Sequence, residues 1–348
     1  MTTLTCPYCE RRCALAQDGV GFCGMYTAQG DAVVERWPHR YSSIQIAHIE
    51  TVPFFHFQPG SRTLILGGAG CNFDCHYCSN AHVARSDPND LLIYSLEPER
   101  VVKFANDYGC HNIAFAVNEP TVALPTLFAV AEAAHDAGLP IGALTNGYTQ
   151  PEMTERMGHA FDFLNVSLKG MGDSFFAEHV GLPAGEDGAS PSEIVLRNIA
   201  ALRALTHVEV STPIVQGVND NEIPAMAATL GAIDRRIPWH VFRLLPEYKM
   251  ADYERPSIDA VVAALEDARG ALDYIYFGNF VGSQWVSTNC PGCGALAIER
   301  INLSGCSSKA LSYHLDAAQR CDRCGADLGI AGPAVTWHSK DEPSWTLV

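Results

Sequence analysis

Thirteen cysteines, set in three groups, restrict this chain more than any other feature. Four lie before position 24, three at 71–78 and five after 289, with Cys110 alone between the groups. An odd count, repeated CxxC pairs and no secretion signal point away from a disulfide framework and toward thiolates that ligate metal in a reducing compartment. Each group must therefore gather around an ion or a cluster, and the segments between the groups must build the core.

Those segments carry the pattern of βα units. Short apolar runs fall at Thr63–Leu66, Asn112–Ala116, Ile141–Leu144, Phe161–Ser167, Val208–Ser211, Trp239–Leu244 and Tyr274–Tyr276. Between them lie helical stretches near 97–107, 123–137, 192–205, 222–234 and 257–269. In 192–205, Ile194, Val195, Ile199, Leu202 and Leu205 share one face. The expected fold class is α/β, a partial or full (β/α) barrel over 61–281 with chemistry at the C-terminal ends of its strands. Residues 1–60 read as a Cys-rich head with an irregular linker ending in His56–Gly60, and 282–348 as a second Cys-rich module. The stretch Gly185–Ser192 reads as an exposed loop.

The charge balance narrows the partners. Asp and Glu outnumber Lys and Arg 39 to 23, a net −16, which is unsuited to displacing counterions from nucleic acid. No apolar run approaches membrane-spanning length. The expectation is a cytoplasmic protein with neither nucleic acid nor membrane as partner.

The central group, Gly67-Gly-Ala-Gly-Cys-Asn-Phe-Asp-Cys-His-Tyr-Cys-Ser-Asn80, follows the first apolar run directly. Cys71, Cys75 and Cys78 on one tight loop can hold three irons of a 4Fe–4S cube, whose usual site takes four cysteines. The fourth iron then stays open for substrate chemistry. The plainer alternative is a zinc site completed by His76 or His82. At the C-terminus, Cys290-Pro-Gly-Cys293-Gly and Cys321-Asp-Arg-Cys324-Gly form two knuckles of the zinc-ribbon kind, and Cys306 between them is a spare. The N-terminal set, Cys6, Cys9, Cys13 and Cys23, suits structural zinc or an auxiliary iron–sulfur cluster, with zinc preferred because four cysteines close a site. A closed barrel would bring the termini together, so exchange of ligands between the two sets is open. Cys110 reads as a small core residue.

Taken together, these motifs resemble the radical S-adenosylmethionine (SAM) superfamily. The wider pattern is similar to the branch of pyruvate formate-lyase activating enzymes and most to the radical SAM component of the AmmeMemoRadiSam system. Phe54–Gly60, Gly67–Asn80, Asn118–Thr121, Thr145–Tyr148, Asn165–Gly170, Gly217–Asp220, Pro238–Met250 and Tyr274–Asn279 carry the resemblance. It implies a 4Fe–4S cluster and SAM as cofactors, with SAM chelating the open iron. It also implies a reduced flavodoxin or ferredoxin as electron donor and a small-molecule, peptide or protein substrate. Asn118 and Glu119 would meet the SAM amino group, Thr145 and Asn146 would line its pocket, and Ser167 and Lys169 would reach its carboxylate or ribose. The chain departs from the activases at Leu144 and Ser167, where they usually carry aspartates, at Ser211, where they carry arginine, and at Tyr248, where a histidine often stands. A glycyl radical enzyme activase is the second expectation, and a zinc-ribbon scaffold that docks a partner protein is the third.

Overall fold

A computed structural model describes residues 3–182, 189–304 and 307–336. Cys306 and residues 185–188 of the loop expected at Gly185–Ser192 lie outside them, and the end of that expected loop is instead the start of a helix, with Ser190 as its cap and Pro191 and Ser192 buried.

Eight strands form the main sheet. Ser43–His48 (β1), Arg62–Gly67 (β2), Asn112–Phe115 (β3), Ile141–Thr145 (β4), Phe163–Ser167 (β5), His207–Ile214 (β6), Trp239–Arg243 (β7) and Ile275–Gly278 (β8) lie side by side in chain order. β2 to β8 are all parallel, and β1 runs antiparallel to β2 from Ser43↔Gly67 to His48↔Arg62. β1 and β8 stay unjoined at the two edges among the described residues, so the barrel is partial. All six residues of β2 are buried, as expected of parallel strands covered on both faces.

Six helices cross between strands: Pro98–Asp107 (α1), Leu124–Asp136 (α2), Pro151–Ala160 (α3), Pro191–Arg203 (α4), Ile223–Asp234 (α5) and Ile258–Ala268 (α6). The first five carry proline in the first turn, where the missing N–H costs nothing and φ is already helical. α6 starts instead on Ser257, whose side chain accepts from the Ala260 amide. Cys110, 6% exposed, packs into the main core with these elements.

Two expectations need correction. The linker before residue 61 is not irregular throughout, because β1 lies in it and completes the sheet. The sequence reading also left out α3, whose Met153 and Met157 face the core. Thr154 and Gly158 weaken its helical pattern, yet a side chain at Gly158 would meet Leu205 at 2.6 Å.

The two ends of the barrel are finished differently. At the N-terminal ends of the strands, Phe54 to Phe57 form a plug. Glu209 of β6 accepts from the amides of Phe55 (2.9 Å) and His56 (2.8 Å) and from the rings of His207 (3.0 Å) and His240 (2.6 Å). The C-terminal strands Thr288–Asn289, Leu296–Ser304 and Ser307–Tyr313 cover this plug. Their Arg300 donates to the Phe55 carbonyl (2.6 Å) and faces Glu50 at 3.4 Å. The N-terminal head docks at the opposite end, where the Glu10 amide donates to Tyr148 and the Tyr26 hydroxyl to Thr121. With the two heads at opposite ends, the terminal cysteine sets do not share ligands.

Candidate active site and metal centres

At the C-terminal ends of the strands a cavity of about 320 Å³, open at its mouth, is lined by residues from the end of every parallel strand. Cys71, Cys75 and Cys78 stand on its wall together with Asn118, Glu119, Thr145, Asn146, Ser167 and Lys169. The volume is that of a small-ligand pocket.

The loop that carries the three thiols is fastened from β3. Asn118 accepts from the Gly68 amide (2.6 Å) and donates to the carbonyls of Ala69 (2.9 Å) and Gly70 (3.1 Å). Val117 before it is held at φ 73°, a left-handed conformation that a β-branched side chain rarely adopts. Gly70, at φ 77°, has no room for a Cβ, which would strike the Cys23 carbonyl at 2.6 Å.

Glu119 is 5% exposed and acts as a junction. Its carboxylate accepts from the Thr121 amide and hydroxyl, the Thr145 hydroxyl (2.7 Å) and the Asn146 amide (2.7 Å). Burial raises its pKa and these hydrogen bonds oppose the rise. Asn146 donates to Asn72 Oδ1 at 2.6 Å, tying the β4 loop to the residue after Cys71.

Burial pushes the Cys71 thiol well above its usual range, with Glu119 next in effect, and takes Cys75 to about 11. Cys78 is also raised by burial, while Lys169 acts in the lowering direction at both Cys75 and Cys78. These thiols become thiolates only beside concentrated positive charge, which a metal supplies with release of protons. His82 is exposed and neither His82 nor His76 lines the cavity, so the histidine-completed zinc alternative loses its fourth ligand.

Sequence reasoning missed part of this wall. Ser211 Oγ and Arg243 Nε are buried, lack hydrogen-bond partners and line the cavity. The Arg243 backbone is clamped by Asn279, itself at φ 62°, which donates to its carbonyl (2.6 Å) and accepts from its amide (3.1 Å). In the sequence Ser211 stands out only as a departure from the activases, and Arg243 and Asn279 only as members of resembling stretches; the convergence of β6, β7 and the end of β8 makes them one wall.

The C-terminal knuckles gather without help from elsewhere. Cys290 and Cys324 lie 3.6 Å apart and Cys293 and Cys321 3.8 Å, all four sulfurs within 4.8 Å of one another. A tetrahedral zinc ion with Zn–S bonds of about 2.3 Å requires sulfur separations of about 3.8 Å. Gly294 (φ 70°) and Gly325 (φ 73°) make the two turns alike. The N-terminal cysteines line a separate small cavity beside Asn72.

A model described as the Radical SAM superfamily matches residues 65–230. The uncharacterized protein MJ0808 of Methanocaldococcus jannaschii is 29% identical over 330 residues, covering 93% of this chain and 95% of that protein. A GTP 3′,8-cyclase of Parasynechococcus marenigrum is 27% identical, covering 57% of this chain, which spans 60% of the cyclase. The crystal structure of SuiB from Streptococcus suis superposes with a TM-score of 0.48 at 12% identity, over 61% of this chain and 48% of that one.

Proposed function

The chain belongs to the radical SAM superfamily, and we propose that it is an enzyme that cleaves SAM reductively and abstracts hydrogen from a substrate held in the barrel mouth. The observation that carries this reading is the position of Cys71, Cys75 and Cys78 on a cavity into which all seven parallel strands end. Cys71, Cys75 and Cys78 would hold a 4Fe–4S cluster, which would supply the electron for reductive cleavage of SAM.

The chain's own residues place and shield that chemistry. Asn118 fixes the turn that presents the thiols, and Glu119 locks the β3 and β4 loops against each other. The free edge of the Glu119 carboxylate suits the SAM ammonium. Lys169 and Arg243 offer positive charge to a carboxylate, and Ser211 offers a hydroxyl with no other partner. The Phe54–Phe57 plug is buried at the far end of the barrel, away from the cysteine-lined mouth.

The motif order supports placement in the AmmeMemoRadiSam branch rather than among the activases, whose two aspartates are replaced here by Leu144 and Ser167. A reduced flavodoxin or ferredoxin is the proposed electron donor. The closed C-terminal set is proposed to hold structural zinc.

The test is anaerobic reconstitution with iron and sulfide, followed by SAM and dithionite and an assay for 5′-deoxyadenosine. Product above that of a Cys71→Ala control is expected. Equal yields from the two proteins would overturn the reading.

A further inference from the structure

We propose that Cys6, Cys9, Cys13 and Cys23 hold a second iron–sulfur cluster, closed by four thiolates and sharing a wall with the central cysteine loop. The chain carries its own standard for a single-ion site, because the C-terminal four sulfurs close to within 4.8 Å. Among the described residues that is the only group of three or more such ligand atoms so gathered. The N-terminal sulfurs are not gathered in that way, yet all four cysteines line one cavity. One zinc ion draws its thiolates to contact, whereas a cluster with a thiolate on each of several irons keeps them apart.

A second feature of the cavity points to a sulfide-bearing ligand. Asn72 is 1% exposed and lines the wall. Its Nδ2 amide, buried on the side of Cys9, makes no hydrogen bond within normal reach, while its Oδ1 is already taken by Asn146. Cluster sulfurs accept N–H hydrogen bonds, which help to set reduction potential.

The placement also gives the site a role, which rests on the function proposed above. Asn72 directly follows Cys71. Arg11 lies between Cys9 and Cys13 on one side and Cys71 on the other, and donates to the carbonyls of Asn72 and Gly181. Its guanidinium offsets the negative charge of both thiolate sets. A reduced low-potential one-electron carrier would load the N-terminal centre, which returns to its oxidised state as the central loop's centre is reduced by that one electron. No bond is made or broken.

The experiment uses the full chain reconstituted without oxygen, as wild type and as the triple variant Cys71→Ala, Cys75→Ala, Cys78→Ala. The triple variant is expected to lose part of its iron but to keep acid-labile sulfide and, after dithionite, an EPR signal that SAM does not change. Reduced wild type is expected to give a spectrum broadened beyond the sum of two isolated clusters. Wild type should also hold one zinc per chain. Two zinc ions per chain, or a triple variant free of iron and sulfide, would overturn the site. An unbroadened sum of signals would overturn the relay. SAM cleavage by wild type reports on the central site alone, so the two readings can fail separately.

Discussion

Asn118 illustrates how single side chains set the chemistry here. Its three hydrogen bonds hold the backbone from Gly68 to Gly70, so Asn118→Ala frees the thiol loop without removing a thiol. SAM cleavage should fall about 10–100-fold, as when ligand-orienting partners are lost, while the melting temperature stays close to wild type. Rate and thermal unfolding measured side by side check both halves.

His56 belongs to the same scale and predicts a pH effect. Burial, opposed by Glu209, lowers its pKa from 6.5 to about 3, with Arg300, His207 and His240 around it. The unfolded chain therefore binds a proton between pH 6.5 and 3 that the folded chain refuses, and stability falls as the pH drops through that window. Between pH 6.5 and 5 the loss is about 2 kcal/mol. Urea titrations should show a shallower dependence over that range for His56→Gln. Glu209, held well below the usual carboxylate range despite its burial by the hydrogen bonds of His207 and His240, adds acid sensitivity below pH 4.5.

The cysteines and Asn118 were legible in the sequence because each lies in a short local motif. The Glu209 hydrogen-bond group was not, because its partners come from β6, β7 and the plug, far apart in the chain.

Among elements, the strands were readable within one to three residues, since buried parallel strands are short unbroken apolar runs. β1 escaped because its burial is mostly partial and its pairing is with a later strand. α3 escaped because packing against Leu205, rather than propensity, explains its glycine. The turn after β4 is the most constrained of the loops. Gly147 sits at φ 70°, and a Cβ there would meet Val166 Cγ1 at 2.6 Å. Gly147→Ala should cost about 1–3 kcal/mol through overpacking and more through the left-handed backbone. A fall in the urea midpoint with an unchanged m-value would record it; no fall would show that β5 yields easily.

For the molecule as a whole, the sheet leaves one end of the barrel for chemistry and gives the other to the plug and the C-terminal module. Arg300 joins the two, fully buried against Glu50 and the Phe55 carbonyl. Arg300→Ala leaves the Glu50 carboxylate buried without its cation and the Phe55 carbonyl without this donor, at a cost of about 3–5 kcal/mol, whereas zinc content should be unchanged. Denaturant unfolding and metal analysis of the same sample separate loss of the clamp from loss of the ion site. Neither the clamp nor the separation of the two heads was legible, because both depend on contacts between residues far apart in the chain, 95 for Tyr26 with Thr121 and 250 for Arg300 with Glu50.

The central claim is that three thiols on one loop hold a cluster with one iron left for SAM. Mössbauer spectra of 57Fe-reconstituted protein lacking the N-terminal cysteines, taken with and without SAM, test it most directly. The account predicts that SAM shifts the signal of one iron and leaves its neighbours unchanged. Spectra identical in the two conditions, from a protein that retains its iron, would contradict it.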